Sequence, residues 1–243
     1  LILAGVNQEH ITIMLPDRFA DGYGMSPKLI PVAKEKGISL VITVDCGSHN
    51  HAIIDELTTL NIDSIITDHH ETPETLPEAI AVINPKRRDH PCPELENLAG
   101  VGVAFKLAQA LVKEGLIPAG QEKWLLDLVL IGTICDSMLL TGENRILAHY
   151  GLKRLNAQPS EGLSSIIRIC GLEEQNITID DIVFKIGPRI NAAGRMESGR
   201  IAVELLTATS VDEAIRIGTE INEHNNERKN IDRRITQEAL EMV

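Results

Sequence analysis

The sequence predicts an α/β protein built on a parallel sheet, with an α-rich second part and a long helix at its C-terminal end. Three observations lead there. Short β-branched runs alternate with helical patterns between His10 and Ile83, helical periodicity prevails from Ala99, and a charged stretch with a sparse apolar stripe fills Val211 to Val243.

The first run, His10 to Leu15, reads as a strand, and Pro27 to Lys36 as the helix after it. Leu40 to Val44 is the next strand, His51 to Leu60 a helix, Ile62 to Thr67 a strand, and Ala79 to Ile83 a short last one. Strands separated by helices in this way form βαβ units and lie parallel. The turn-rich segment Asn84 to Pro93 closes this part. Beyond it, helices are expected near Gly102 to Lys113, Lys123 to Ile134, Asn144 to Asn156, Gly162 to Cys170 and Asp180 to Ile186. Ala214, Ile217, Ile221, Ile231, Ile235 and Leu240 mark one buried stripe on a long solvated helix. The expected division is residues 1–97 as the sheet domain, 98–210 as its helical part and 211–243 as a connector helix.

Composition narrows the function classes. A hydrophobic content of 43% in 243 residues supplies a real core. The net charge of -12 excludes a surface that is basic all over, so contact with phosphate must come from a local basic cluster or from metal. Aromatic content of 2% leaves few platforms for bases, so a bound nucleic acid would be held mainly by its backbone. Cys46, Cys92, Cys135 and Cys170 show no CxxC spacing, which argues against a zinc knuckle or a disulfide framework and fits a reducing cytoplasm. No apolar run approaches the ~20 residues that a membrane-spanning helix needs. The chain opens at Leu1 without methionine and closes inside a helical pattern, so it is expected to be a piece of a longer protein.

Ligands gather beyond the carboxyl ends of parallel strands. Two strands here end in candidate metal ligands: Leu40 to Val44 runs into Asp45-Cys46-Gly47, and Ile62 to Thr67 runs into Asp68-His69-His70. Either motif alone is better explained as a helix cap or as surface histidines. Together, at adjacent strand ends, carboxylate and imidazole donors make a metal site the better reading, with Mn²⁺, Zn²⁺ or Fe preferred over Ca²⁺. A third carboxylate, Asp136, follows the apolar run Leu125 to Ile134 at the edge of the core, where a cation would compensate its charge; a carboxylate turned to water is the alternative.

At these residues the sequence resembles the DHH phosphoesterase family. Thr67-Asp68-His69-His70 is similar to the motif that names the family, and Val44-Asp45-Cys46-Gly47 to its preceding aspartate motif. Leu15 to Gly24, Asn84 to Arg87, Leu98 to Lys106, Thr141 to Arg145 and Gly187 to Met196 resemble its single-strand-specific exonuclease branch, in the expected order along nearly the whole chain. The resemblance implies a 5′-to-3′ exonuclease acting on single-stranded DNA in repair and recombination. It further implies that Asp45, His69 and Asp136 ligate metal, with two Mn²⁺ ions in the complete protein and Mg²⁺ as the alternative. Asp68 would orient the site and His70 would face the scissile phosphate. A helicase or a single-strand-binding protein is the kind of protein partner it implies.

Gly187 to Met196 reads as a Gly/Pro-rich loop holding Arg189 and Arg195, whose guanidinium forks suit a phosphate backbone. Pairing with local carboxylates such as Glu197 is the alternative, and the resemblance favours the clamp, with Asn191 among its contacts. Arg18 and Tyr23 are ordinary loop residues by spacing and contacts for the 5′ end by resemblance. Lys86-Arg87-Arg88 is either a basic contact or a solvated turn. The family's Asp-rich first motif finds no match before His10 and its C-terminal domain none before Val243, so the piece itself is expected to be weakly active or inactive. Two other functions stay open: a DHH phosphodiesterase for short oligonucleotides or nucleotides, and an inactive DHH module that scaffolds a repair complex.

Overall fold

The computed structural model describes residues 1–16, 22, 24–196 and 199–242, with the side chains of 193–196 outside that description. Arg18 and Tyr23 therefore lie outside the described residues, as does the side chain of Arg195. The chain packs as two compact units, Leu1–Gly151 and Leu152–Val243.

The first unit holds helix α1 (Leu29–Glu35), strand β1 (Leu40–Val44), helix α2 (His51–Thr59), strand β2 (Asp63–Thr67) and strand β3 (Ala81–Ile83). The sheet is parallel in the order β1-β2-β3, with Val44 opposite Thr67 and Thr67 opposite Ile83. The strands therefore end level with one another. Ile30, Ala33, Ile54, Leu57, Ile62 and Ile66 form one buried cluster that packs α1 and α2 against the sheet. Helices α3 (Gly100–Lys113), α4 (Leu126–Cys135) and α5 (Gly142–Ala157) follow, and Leu98, Val103, Phe105, Val129 and Leu147 form the second cluster.

The α/β class is as the sequence predicts, with one element corrected. His10 to Leu15 is not a strand: Gln8–His10 makes a short 3-10 turn, residues 11–16 have no ladder partner among the described residues, and Ile13 and Leu15 are exposed. A β-branched run becomes a strand only where a neighbour takes its backbone hydrogen bonds, and local propensity does not supply one.

The second unit contains α6 (Glu161–Ile169), α7 (Ile179–Asp181), a π-helical turn (Ile182–Ile186), α8 (Gly187–Met196), α9 (Arg200–Leu206) and α10 (Val211–Glu241). Thr178 and Asp181 cap α7 reciprocally, and the Ser210 hydroxyl accepts from the Glu213 N–H to start α10. Two expectations change here. The segment Gly187 to Met196 is helix rather than loop, continuing directly from the π turn. Pro188 has no N–H to give to a continuing helix, and it stands directly after the π turn, where the regular ladder is already interrupted. The stripe on α10 is buried only at Ala214, Ile217 and Ile221, which α6, α8 and α9 cover, whereas Ile231, Ile235 and Leu240 are exposed. Helix α9 had no clear sequence signal. No helix among the described residues is long and apolar enough to cross a membrane.

Candidate metal centre

Parallel register brings the two acidic motifs together. The Asp45 N–H donates to the Thr67 carbonyl at 2.9 Å, so Asp45 continues the ladder for one residue, and the Asp68 N–H donates to the Ile83 carbonyl at 3.0 Å. Asp45 then turns out of the strand with φ of 64°, a left-handed conformation that an aspartate adopts at a cost. Thr67 and Thr43 tie the strand ends side by side, the Thr67 hydroxyl donating to the Thr43 carbonyl at 2.6 Å.

Asp68 is 2% exposed and is the hub of the arrangement. Its Oδ2 accepts from the Ser48 N–H at 3.0 Å, and its Oδ1 accepts from the His69 N–H at 2.8 Å and from His70 Nδ1 at 2.7 Å. Burial pushes its carboxyl up, but the bonds from the Ser48 N–H and the His70 ring outweigh it and hold the carboxyl below the usual range. A carboxylate only accepts, so His70 Nδ1 carries the proton of that bond and Nε2 is its remaining nitrogen. Asn84, also buried, donates to the Ser48 hydroxyl and to the His70 carbonyl, bracing both loops.

His69 Nε2 lies 3.0 Å from Asp45 Oδ1 and 3.5 Å from Asp136 Oδ2. The bond from Asp45 raises its pKa, burial opposes, and the charges of Asp45, Asp136 and Asp68 add to the rise. Asp136 arrives from the other direction, as the C-cap of α4. Helix α4 reaches that position by packing closely on α3, where a Cβ on Gly132 would stand 2.7 Å from Val101 Cγ1. Burial first, and then the neighbouring charge of Asp45, push the Asp136 carboxyl up, while the histidines pull it down. Burial and the charges of Asp68 and Asp45 raise the Cys46 thiol to about 11, so it stays protonated and is no nucleophile at neutral pH.

These residues fit a divalent cation on two observations. One nitrogen or oxygen from each of Asp45, His69 and His70 lies within 4.8 Å of the others, and Asp136 joins this group through His69. Mixed carboxylate and imidazole donors suit a transition-metal dication. Helix α3 also begins with a cradle for the first of them: a Cβ on Gly100 would fall 2.5 Å from Asp45 Cγ, so the carboxylate occupies space that only glycine leaves open.

The remaining expected residues divide. Arg189 lies on α8, its Nε donating to Asn222 Oδ1 at 2.9 Å and its Nη1 to the Lys185 carbonyl at 2.8 Å, while Asn191 is exposed. Lys86 pairs with Glu71 at 3.1 Å, and Arg87 donates to both Asp89 oxygens and to the Val82 carbonyl, as a solvated, self-paired turn would. Ser48, Asn84 and Gly100 belong to the centre without having been assigned a place in it. A glycine at the first position of an apolar helix was the one legible signal among them.

Several known proteins resemble this chain. It is 39% identical over 242 residues to the single-stranded-DNA-specific exonuclease RecJ of Salmonella typhimurium, covering 96% of this chain and 42% of that protein. It is 41% identical over 236 residues to the exonuclease of the same name from Bacillus subtilis, covering 96% of this chain and 29% of that one. The chain thus spans less than half the length of these curated relatives. A crystal structure of exonuclease RecJ bound to manganese superposes with a TM-score of 0.83 at 32% identity, over 95% of this chain and 57% of that one. A RecJ structure in complex with Mn²⁺ from Thermus thermophilus gives 0.77 at 32% identity, over 87% of this chain and 31% of that one. The DHH family, N-terminal domain, matches residues 2–133, more than half the chain and the stretch that sets Asp45, Asp68, His69 and His70 at adjacent strand ends. The chain belongs to the DHH family.

Proposed function

We propose that this chain is the catalytic core of a metal-dependent exonuclease that removes nucleotides from the 5′ end of single-stranded DNA. The observation that carries the reading is the meeting of Asp45, His69 and Asp136 at the strand ends, beside a histidine locked by a buried aspartate. Relatives named as single-stranded-DNA-specific exonucleases match it along nearly its whole length, which favours this function over a phosphodiesterase for short oligonucleotides or an inactive scaffold.

Asp45, His69 and Asp136 would hold Mn²⁺, with Mg²⁺ as the alternative. A bound dication supplies an acidified water and neutralises charge on the phosphate oxygens. The chain's own residues do the rest. With Nδ1–H held by Asp68, His70 presents Nε2 to the scissile phosphate, where it can take up a proton and, as the imidazolium that Asp68 stabilises, return it to the departing oxygen. Asp68 itself, buried and fully hydrogen-bonded, keeps its charge and its place throughout. Arg189, Asn191 and Arg195 on α8 would grip the backbone, and Arg18 and Tyr23 the 5′ end. In this reading residues 1–97 carry most of the metal centre, 98–210 add Asp136 and the grip, and 211–243 form a connecting helix.

The test uses a 5′-labelled single strand and a matching duplex, each incubated with the chain in Mn²⁺ and in chelator. Labelled mononucleotide should appear from the single strand in Mn²⁺, at the weak rate expected of this piece, and vanish in the His69→Ala and Asp136→Ala variants. Equal cleavage of the duplex, or activity that survives both substitutions, would refute the proposal.

A further inference from the structure

The described aromatic side chains are few, and Phe184 is the most exposed of them. Phe105 is a core residue, while Trp124 and Tyr150 are about half exposed, Tyr150 meeting the His149 ring edge-on at 5.1 Å. Phe184 is 72% exposed, although Ile182 and Ile186 on the same π turn are fully buried. Leaving so much of a benzyl group in water forgoes the gain of burying it. The backbone that carries it is anchored on both sides. Ile182 and Ile186 anchor the turn, Pro188 follows one helical turn on, and the continuous helix carries Asn191 seven residues after Phe184, two turns along and near the same face. π turns of this kind occur often at functional sites.

Five residues on, the same helical segment carries a charge complementary to a nucleic acid. Arg189 is tied to Asn222 Oδ1 and to the Lys185 carbonyl, both neutral partners, so its guanidinium is held in place without a carboxylate among the described residues to offset it. In a chain of net charge -12 that is a notable site for positive charge. An exposed ring and a held guanidinium on one short helical segment are the two groups that hold single-stranded nucleic acid, the ring stacking on a base and the cation meeting a phosphate.

We infer that Phe184 is a stacking platform for a base of the bound single strand, adding base contact to a grip otherwise made on the backbone. The inference rests on the exonuclease reading above. Any base has a face to stack, so Phe184 adds affinity without sequence preference. Lys185, which neighbours the ring, is paired with Asp181 at 2.8 Å and contributes less charge than Arg189.

The experiment measures anisotropy of two fluorescein-labelled probes in chelator, so that neither is degraded: a short oligothymidylate, and an abasic strand of equal length and charge. The full chain is compared with Phe184→Ala, Phe184→Leu, Phe184→Tyr and Phe184→Trp. Ala and Leu should weaken oligothymidylate binding about tenfold, within the range of base–aromatic stacking, while Tyr and Trp retain it. All five proteins should bind the abasic strand alike, with unchanged salt dependence. Undiminished binding by the Ala and Leu variants would overturn the inference, and so would an equal loss on both probes. A change of oligomeric state with unaltered affinity would overturn it too, marking the ring as a protein contact. If the unsubstituted chain binds neither probe, the exonuclease reading itself fails; if it binds both and only the Phe184 series is flat, that reading stands alone.

Discussion

Asp68 Oδ1 accepts from His70 Nδ1 at 2.7 Å while the second oxygen of the same carboxylate takes the Ser48 N–H. The ring is therefore held by a group that is itself held at both ends. Asp68→Asn keeps the shape but replaces one acceptor with a donor, so the His70 tautomer is no longer set. The expected result is a large loss in kcat, on the order of a hundredfold, with KM little changed, by analogy with other second-partner carboxylates.

The same bonds predict a pH effect on stability. The folded-state carboxyl of Asp68 lies below the ordinary aspartate value, so its stabilisation is present above that value and is lost as pH falls through the lowered one. Thermal midpoints measured on descending from neutral pH should fall less steeply for Asp68→Asn than for the unsubstituted chain. A parallel decline in both would refute this.

His69 behaves in the opposite sense. Its folded-state pKa is raised, chiefly by the bond to Asp45, so in the metal-free chain its contribution is complete below the ordinary histidine value and disappears as pH rises through the raised one. Mn²⁺ must displace that proton, so apparent metal affinity should weaken as pH is lowered through this range. Replacing Asp45 with Asn should bring the His69 titration back down, read from the C2 proton of the ring by NMR in the metal-free chain.

Gly100 gives a steric test of the same centre. A methyl group there would collide with the Asp45 carboxylate, 2.5 Å from its carbon, and the nearest atom of that side chain, Oδ1, is one expected to bind metal. Gly100→Ala should displace Asp45, weakening Mn²⁺ binding by about 10- to 100-fold, the cost typical of disturbing a ligand's support. The fold should persist with a loss of about 1–3 kcal/mol, the usual cost of overpacking. Calorimetric titration with Mn²⁺, paired with thermal unfolding, reads both.

How far the sequence foretold this centre depends on what each residue needed. Asp45, Asp68 and the two histidines follow apolar β-branched runs, and parallel pairing alone puts the ends of such runs side by side. Asp136 was harder, because its place depends on how closely α4 can approach α3, which a helical pattern does not encode. Asn84 and Ser48 act through hydrogen bonds between loops far apart in sequence, and no local periodicity marks them. The strand expected at His10 to Leu15 and the loop expected at Gly187 to Met196 failed for one reason: both were read from local composition where backbone pairing decided the outcome. Pro188 follows directly on the π turn, where the regular i to i−4 ladder is already interrupted, and a count of glycine and proline does not show that.

Arg189 provides the last prediction, because its geometry separates grip from fold. Asn222 Oδ1 and the Lys185 carbonyl take Nε and Nη1, which leaves the Nη2 protons of the guanidinium for an anion. If this fork meets a phosphate, Arg189→Ala should weaken single-strand binding by on the order of 1–3 kcal/mol and reduce the salt slope by about one. Arg189→Lys should recover only part of the loss, since an ammonium lacks the planar fork. Asn222→Ala leaves the charge but frees it to move, so affinity should drop by less than in Arg189→Ala while the salt slope is kept. Titrations of a labelled single strand across a salt series give all three numbers from one measurement. A salt slope that is the same in Arg189→Ala as in the unsubstituted chain would mean that this arginine serves only to join α8 to α10.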